Sequence, residues 1–322
     1  MAIVCLLLTT AIIAQEDTVK EMPLSLSGSV DAYYRSSEDA PATSFANLPG
    51  FALGMVNVIA AHEGEKAGFV GDLVFGPRGA EAVFGSTGSS ASIVNQLYAY
   101  LNVSDNVTFT LGNFNTFLGY EVISPTGNFN YSTSYMFSYG PFSHTGLKAD
   151  ISLGGGLSLM LGVFNETDAT EFQPIGSDYY GGAQLGYEFD NGGAWLNTLF
   201  TDGFFQIDLT AGVDLSDNLY LGVNATDATD AFSGGAVYLQ LATSDAFKIG
   251  ARAEYFDDKT GTIVGSTDGA GEFVGSSVVD FTISANYMVG NLTIIPEFRL
   301  DSFSDDGVDG LSSFTLAAVY GF

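Results

Sequence analysis

Phe205-Gln-Ile-Asp-Leu-Thr-Ala-Gly-Val-Asp-Leu215 alternates without a break. Phe205, Ile207, Leu209, Ala211, Val213 and Leu215 fall on one face of an extended chain, with Gln206, Asp208, Thr210, Gly212 and Asp214 on the other, because successive side chains of a strand point to opposite faces. The same period sets Val279, Phe281, Ile283, Ala285 and Tyr287 against Asp280, Thr282, Ser284 and Asn286, and Leu292, Ile294, Phe298 and Leu300 against Thr293, Glu297, Arg299 and Asp301. In a soluble sandwich such an apolar face meets a second sheet; in a barrel spanning an outer membrane it meets lipid, with polar residues inside.

Composition decides between the two. Of 322 residues only 14% are charged, against 46% hydrophobic and 13% aromatic, with 40 Gly and 8 Pro; a soluble surface normally needs about a quarter charged. No run of about 18 apolar residues follows the N-terminus, which excludes transmembrane helices. In lipid every backbone polar group must be paired internally, so a closed barrel is the remaining architecture. The expected fold is an all-β, antiparallel, up-and-down transmembrane barrel.

Sixteen strands are read at 24–36, 49–62, 66–76, 93–104, 106–115, 142–154, 156–166, 179–190, 193–203, 205–216, 218–227, 232–243, 245–257, 277–290, 291–303 and 312–322. The connections alternate in length. Tight turns such as Asp105-Asn106, Asn191-Gly192 and Gly290-Asn291 follow even-numbered strands, and longer segments follow most odd-numbered ones. That is the asymmetry of short periplasmic turns and long external loops, with an even strand count and both termini in the periplasm. A two-strand miscount keeps the parity, so fourteen to eighteen strands fit.

Residues 1–14 are apolar, too few to span a bilayer and suited to a signal peptide cut after Ala14, although no Lys or Arg precedes the apolar run. Residues 15–23 then form a short periplasmic segment and 24–322 a single barrel domain. Cys5, the one cysteine, lies within the leader, so disulfides are not expected. The net charge of −28 excludes nucleic acid as a partner, since phosphate backbones demand a basic footprint. It predicts instead an acidic pore or rim, or a protein adapted to salty water, where screening reduces self-repulsion.

The last strand places Phe314, Leu316, Ala318, Tyr320 and Phe322 on one face. Aromatics there suit an interfacial girdle. A terminal Phe with apolar residues at alternate positions (Phe314, Leu316, Tyr320, Phe322) is similar to the signal by which the outer-membrane assembly machinery recognises barrels. The segment Gly112-Asn113-Phe114, Gly119-Tyr120-Glu121-Val122, Asn128, Tyr131-Ser132-Thr133-Ser134-Tyr135 and Gly140-Pro141-Phe142-Ser143-His144-Thr145-Gly146 resembles the beta-barrel porin-2, OmpL-like, family. The resemblance implies a porin in the cell outer membrane without naming a solute. The family usually carries a basic residue between the two serines, where this chain has Thr133, so no charge at a constriction is carried over.

Read from the residues alone, 116–141 is the longest connection, and long loops within compact proteins are usually functional. Its aromatic content argues for packing inside the lumen, where Phe117, Tyr120, Glu121, Tyr131 and Tyr135 would narrow the pore; an outside cap or subunit contact is the competing reading. Alternation turns Arg35, Lys148, Asp150, Glu188, Asp208, Asp214, Lys248, Arg252, Glu254, Asp280, Glu297 and Arg299 inward as pore-lining charges. A barrel of sixteen strands leaves an aqueous channel.

Catalytic chemistry is thin. His144 beside Ser143 or Ser152 is the only candidate hydrolase pair, and no metal-ligand spacing or nucleotide fingerprint occurs. Among the acidic loops, Ser304-Asp-Asp-Gly-Val-Asp-Gly310 is the best candidate for a divalent cation but matches no complete calcium loop. The expectation is a diffusion porin without cofactor, mildly cation-preferring, passing small hydrophilic solutes and assembling as a homotrimer by analogy with other sixteen-stranded porins. A plugged structural or adhesion barrel is the alternative.

Overall fold

A computed structural model describes residues 24–86, 91–172, 178–261, 264, 276–304 and 309–322. Within them lie β1 (Ser25–Arg35), β2 (Gly50–His62), β3 (Ala67–Phe75), β4 (Val94–Ser104), β5 (Val107–Asn115), β6 (Ser143–Gly154), β7 (Leu157–Phe164) and β8 (Tyr180–Phe189). They continue as β9 (Gly192–Thr201), β10 (Phe204–Ser216), β11 (Leu219–Ala228), β12 (Phe232–Ser244), β13 (Phe247–Asp258), β14 (Ser276–Val289), β15 (Leu292–Phe303) and β16 (Leu311–Gly321). Every strand read from the alternation is present, with ends displaced by two residues at most. The leader and the segment to residue 23 lie outside the described residues, as do Asp268, Glu272, Asp305 and Asp306 of the acidic loops.

Each strand pairs antiparallel with its chain neighbours, and β1 pairs with β16 to close the barrel, from Ser29 opposite Gly321 to Arg35 opposite Thr315. Closure leaves no free edge, which is the condition for backbone at hydrocarbon depth. Gly28 and Phe322 exchange both backbone hydrogen bonds at 2.9 Å, so Phe322 is fixed at the rim where β1 begins. The outer face carries the expected apolar row, with Phe205, Ile207, Leu209, Phe281, Ile283, Phe314, Leu316, Tyr320 and Phe322 all exposed. No helix among the described residues is long and apolar enough to cross a membrane.

The β1–β2 ladder contains a bulge: Val30 faces Val56 and Ala32 faces Leu53, leaving Gly54 and Met55 against Asp31. Asp31 accepts from the orphaned Met55 N–H at 2.9 Å, so the ladder loses no partner there. Helix α1 (Pro77–Ala82), in the connection after β3, folds against β2 and β3. The 116–142 connection contains a single 3-10 turn (Pro125–Gly127) and helix α2 (Tyr135–Tyr139), whose N-cap Ser134 accepts from Phe137 N–H.

The interior is packed rather than hollow over much of its height. One apolar cluster joins Tyr135 and Met136 of the connection to Phe232, Tyr238, Phe256 and Val278 of the wall. A second joins Phe45, Met55, Val74, Ile123, Phe137 and Phe142. Two more gather around Tyr131 with Ile295, and around Leu118 with Phe164. An apolar loop inside a polar-lined barrel buries its aromatics only by meeting apolar wall positions, and Ile295, Ala317, Phe256 and Leu199 break the inward polar pattern to supply them.

Candidate functional site: the loop inside the barrel

The 116–142 loop is held by carboxylates that accept from its backbone N–H groups. At its start, Asp208 of β10 accepts from Gly119 N–H at 2.9 Å, steadied by Asn197 and Asn224 at 2.8 and 2.7 Å. Further on, Glu297 of β15 takes Tyr131 N–H and Ser132 N–H at 2.7 and 3.0 Å. Glu254 of β13 takes Tyr135 N–H and Met136 N–H at 2.8 and 2.7 Å, the first two of α2. Glu121, from the loop itself, takes Ser134 N–H at 2.7 Å. At the end Asp168, in the β7–β8 connection, takes Phe142 N–H and Ser143 N–H at 2.7 and 2.9 Å. Charge-assisted bonds of this kind are roughly twice as strong as neutral ones.

Two arginines pair with Glu121 of this belt and with the neighbouring Asp280 and Asp301. Arg252 binds Glu121 at 2.7 Å and Asp280 at 3.1 Å, and it donates to the Ser132 and Thr133 carbonyls at 2.8 and 3.3 Å. Arg299 binds Asp280 and Asp301, both at 2.7 Å, and donates to the Thr133 carbonyl at 2.7 Å. Thr133, at the position where the family usually carries a base, is fully buried and donates its hydroxyl to the Ser44 carbonyl at 2.6 Å. The positive charge at this position comes from the wall instead, as Arg252 and Arg299 both donate to the Thr133 carbonyl.

The loop's aromatics complete the filling. Tyr120 stacks on Tyr238 at 4.1 Å and donates to the Tyr220 hydroxyl at 3.0 Å. Tyr131 donates to Asp31, tying the loop to the β1–β2 bulge. Arg78 of α1 is buried with its guanidinium 4.5 Å from the Phe45 ring and 5.4 Å from Tyr131, and Nε donates to the Ile123 carbonyl at 3.0 Å. Sequence reasoning did not single out Arg78 or Asp72, because alternation says nothing of a loop helix and three neighbouring amides converge on Asp72 only in the folded wall.

Of the charges read as pore-lining, Arg35, Asp208, Arg252, Glu254, Asp280, Glu297 and Arg299 do point inward but are buried, none more than 3% exposed. Arg35 donates to the Ser37 and Asp39 carbonyls after β1, and the other six bind the loop or one another rather than face an open channel. Lys148, Asp150, Glu188, Asp214 and Lys248 stay accessible in the half nearer the chain termini. In the filled half every strand except β8, which offers Gly182, presents a buried inward side chain. Below it, recesses of about 570, 470 and 420 Å³ line the wall.

His144 is fully buried, bonded through Nε2 to Thr116 Oγ1 at 2.9 Å, with ring centroids 4.9 and 5.0 Å from Phe117 and Phe164. Its hydrogen-bond partner is therefore a threonine of the loop entry rather than Ser143 or Ser152, and both phenylalanine rings pack tilted against the buried imidazole. No group of three or more His, Cys, Asp or Glu side chains able to hold a metal occurs among the described residues.

A closed sixteen-strand antiparallel barrel with an inward-folded loop after β5 defines the class of outer-membrane porins. The chain belongs to the family described as "Putative beta-barrel porin-2, OmpL-like", whose model matches residues 23–322. It is an outer-membrane channel protein by family and fold, which point away from an enzyme. Among solved structures it is similar to Salmonella typhi OmpF in complex with daunomycin (TM-score 0.65, 13% identity, covering 93% of this chain and 97% of that one). It is also similar to an anion-selective porin from Comamonas acidovorans (TM-score 0.60, 11%, 93% and 99%). Vibrio cholerae OmpT in a trimer form aligns with TM-score 0.59 at 12% identity over 93% and 99%. At these identities the likeness concerns the fold. No curated protein matches the sequence.

Proposed function

We propose that the protein passes small hydrophilic solutes passively across the outer membrane, through a lumen whose cross-section the 116–142 loop controls. The single observation that carries this is the loop's attachment: it is pinned inside a sixteen-strand barrel by wall carboxylates, so its position sets what can pass. In the conformation described the loop's half is filled, so conduction requires the loop to yield.

A modest cation preference is supported by the accessible charges of the terminus-side vestibule, Asp150, Glu188 and Asp214 against Lys148 and Lys248, and by the net charge of −28. Homotrimer assembly is supported by an apolar recess of about 420 Å³ on the outer wall at the barrel seam, lined by Ala32, Phe51, Leu53 and Leu316, beside which Phe51 stands 92% exposed. Recognition by the assembly machinery is supported by Phe314, Leu316, Tyr320 and Phe322 sharing one lipid-facing row.

Single-channel recording in planar bilayers tests the reading. Discrete conductance steps with reversal potentials favouring cations are expected; folded protein without conductance overturns the channel, and anion selectivity overturns the charge clause. A second reading, a barrel permanently plugged by the loop, draws on the burial of the wall charges. Swelling of liposomes by small sugars excludes it.

A further inference from the structure

On the terminus-side wall, β8 to β11 carry a recess of about 470 Å³ into which Trp195, Tyr220 and Tyr120 present their rings. Each ring lies against a glycine. A Cβ built on Gly193 would fall 2.6 Å from Trp195, one on Gly212 2.1 Å from the Tyr220 hydroxyl, and one on Gly222 2.5 Å from that of Tyr120. With any larger residue beneath, each ring would be driven up into the recess. The glycine wall thus lets the aromatics lie back and leaves an open, flat-sided space.

The chemistry of that space is selective. No charged residue lines it, although the chain carries 37 acids and 9 bases. Polar atoms sit at the edges of the rings: the Trp195 indole N–H and the Thr210 hydroxyl have no hydrogen-bond partner among the described residues, and the Tyr220 hydroxyl accepts from Tyr120 at 3.0 Å and keeps its own proton to donate. Aromatic faces ringed by neutral donors and acceptors match a ligand with apolar C–H faces and peripheral hydroxyls, and the volume lies within the usual range of about 300–1,000 Å³ for small-molecule sites. An anionic solute would lose hydration with no positive charge in the recess to meet it, and the nearest accessible charges, Glu188 opposite Gly193 and Asp214 opposite Tyr220, would repel it.

We propose that this recess binds the pyranose ring of a neutral saccharide. The inference deepens the porin reading by giving a solute class, and it rests on that reading only for the direction of traffic, since binding itself needs no open channel.

Trp195 is the only tryptophan in the sequence, so its emission reports on the site alone. Barrel folded in a zwitterionic detergent without a sugar headgroup is titrated with maltose, cellobiose and N-acetylglucosamine, with sodium gluconate and glutamate as charged controls. A saturable spectral change with at least one neutral sugar, absent with the charged solutes, is expected. Tyr220→Ala should weaken that binding at least tenfold while retaining the heat-modifiable gel mobility of a folded barrel. Should Tyr220→Ala fail to fold, Thr210→Val serves in its place with an expected loss of about threefold or more. No saturable response to any of the sugars, an equal response to gluconate, or unchanged affinity in the folded variant overturns the proposal. Conductance without sugar binding leaves the porin reading intact and sinks this one; sugar binding without conductance does the reverse.

Discussion

Asp168 lies outside the strands at φ 64°, a left-handed conformation uncommon for a non-glycine residue, with Oδ1 accepting from two consecutive backbone N–H groups at the end of the inward loop. Burial pushes its carboxyl up to about 6, against the lowering pull of the Phe142 and Ser143 N–H groups. Its folded pKa is above its unfolded one, so the folded state binds the proton more tightly, and stability rises as pH falls from about 6 towards 4. Because Asp168 keeps some accessible surface, the gain is on the order of 1–2 kcal/mol. Thermal unfolding in micelles at pH 7, 6 and 5 should show an upward drift that Asp168→Asn flattens; an unchanged slope in the variant would remove Asp168 from the account. Gly54 is a second residue with a sharp expectation. A Cβ there would fall 1.7 Å from Asp31 Oδ2, evicting the carboxylate from Met55 and Tyr131. Gly54→Ala should cost about 2 kcal/mol or more in a urea titration, since it leaves a buried N–H without its acceptor.

At the scale of the element, the strands and the loop follow different rules. Alternation locates β10 or β14 because one face must meet lipid and the other must not, and the period survives any detail of packing. Arg252 and Glu254 share one buried face of β13. What alternation cannot carry is what that face meets, since a wall charge facing water and one facing a loop have the same parity. The loop's entry into the lumen is legible in its aromatics, whereas the pairing of Glu297 with Tyr131 across 166 residues of chain is not. Removing one partner from a buried ion pair usually costs about 3–5 kcal/mol. Arg252→Gln should therefore lower the unfolding free energy by an amount of that order and, by releasing Glu121 and the Ser132 carbonyl, raise mean single-channel conductance. Equal conductance in the variant would mean the loop is not held by this belt.

The whole molecule is a balance between a lipid-facing surface that tolerates no charge and an interior rich in it. Leu209 sits mid-strand on the outer face, 42% exposed in the isolated chain. Leu209→Arg should cost about 2–4 kcal/mol in folding into bilayers, the penalty for a base near the bilayer midplane, and much less in a charged or loosely packed detergent. Phe322 closes the barrel by its backbone, through Gly28, while its ring lies on the lipid side, 49% exposed. Phe322→Ala should leave the purified barrel folded by gel mobility and reduce the amount inserted in cells, separating closure from recognition. Loss of folding in micelles would assign the ring a structural role instead.

Sequence alone determined the architecture, an even strand count near sixteen and the membrane, because lipid imposes a period of two, paired backbone and closure on every residue of the wall, and those constraints are local enough to read. Only the tertiary structure decided which inward charges meet water and which meet the loop. That depends on contacts between Asp208 and Gly119, Glu254 and Tyr135, or Arg299 and Thr133, whose partners lie 89, 119 and 166 residues apart in the chain. No periodicity spans such distances, and the energy that selects those pairs, charge-assisted hydrogen bonding in a dry interior, exists only once the barrel has closed around the loop.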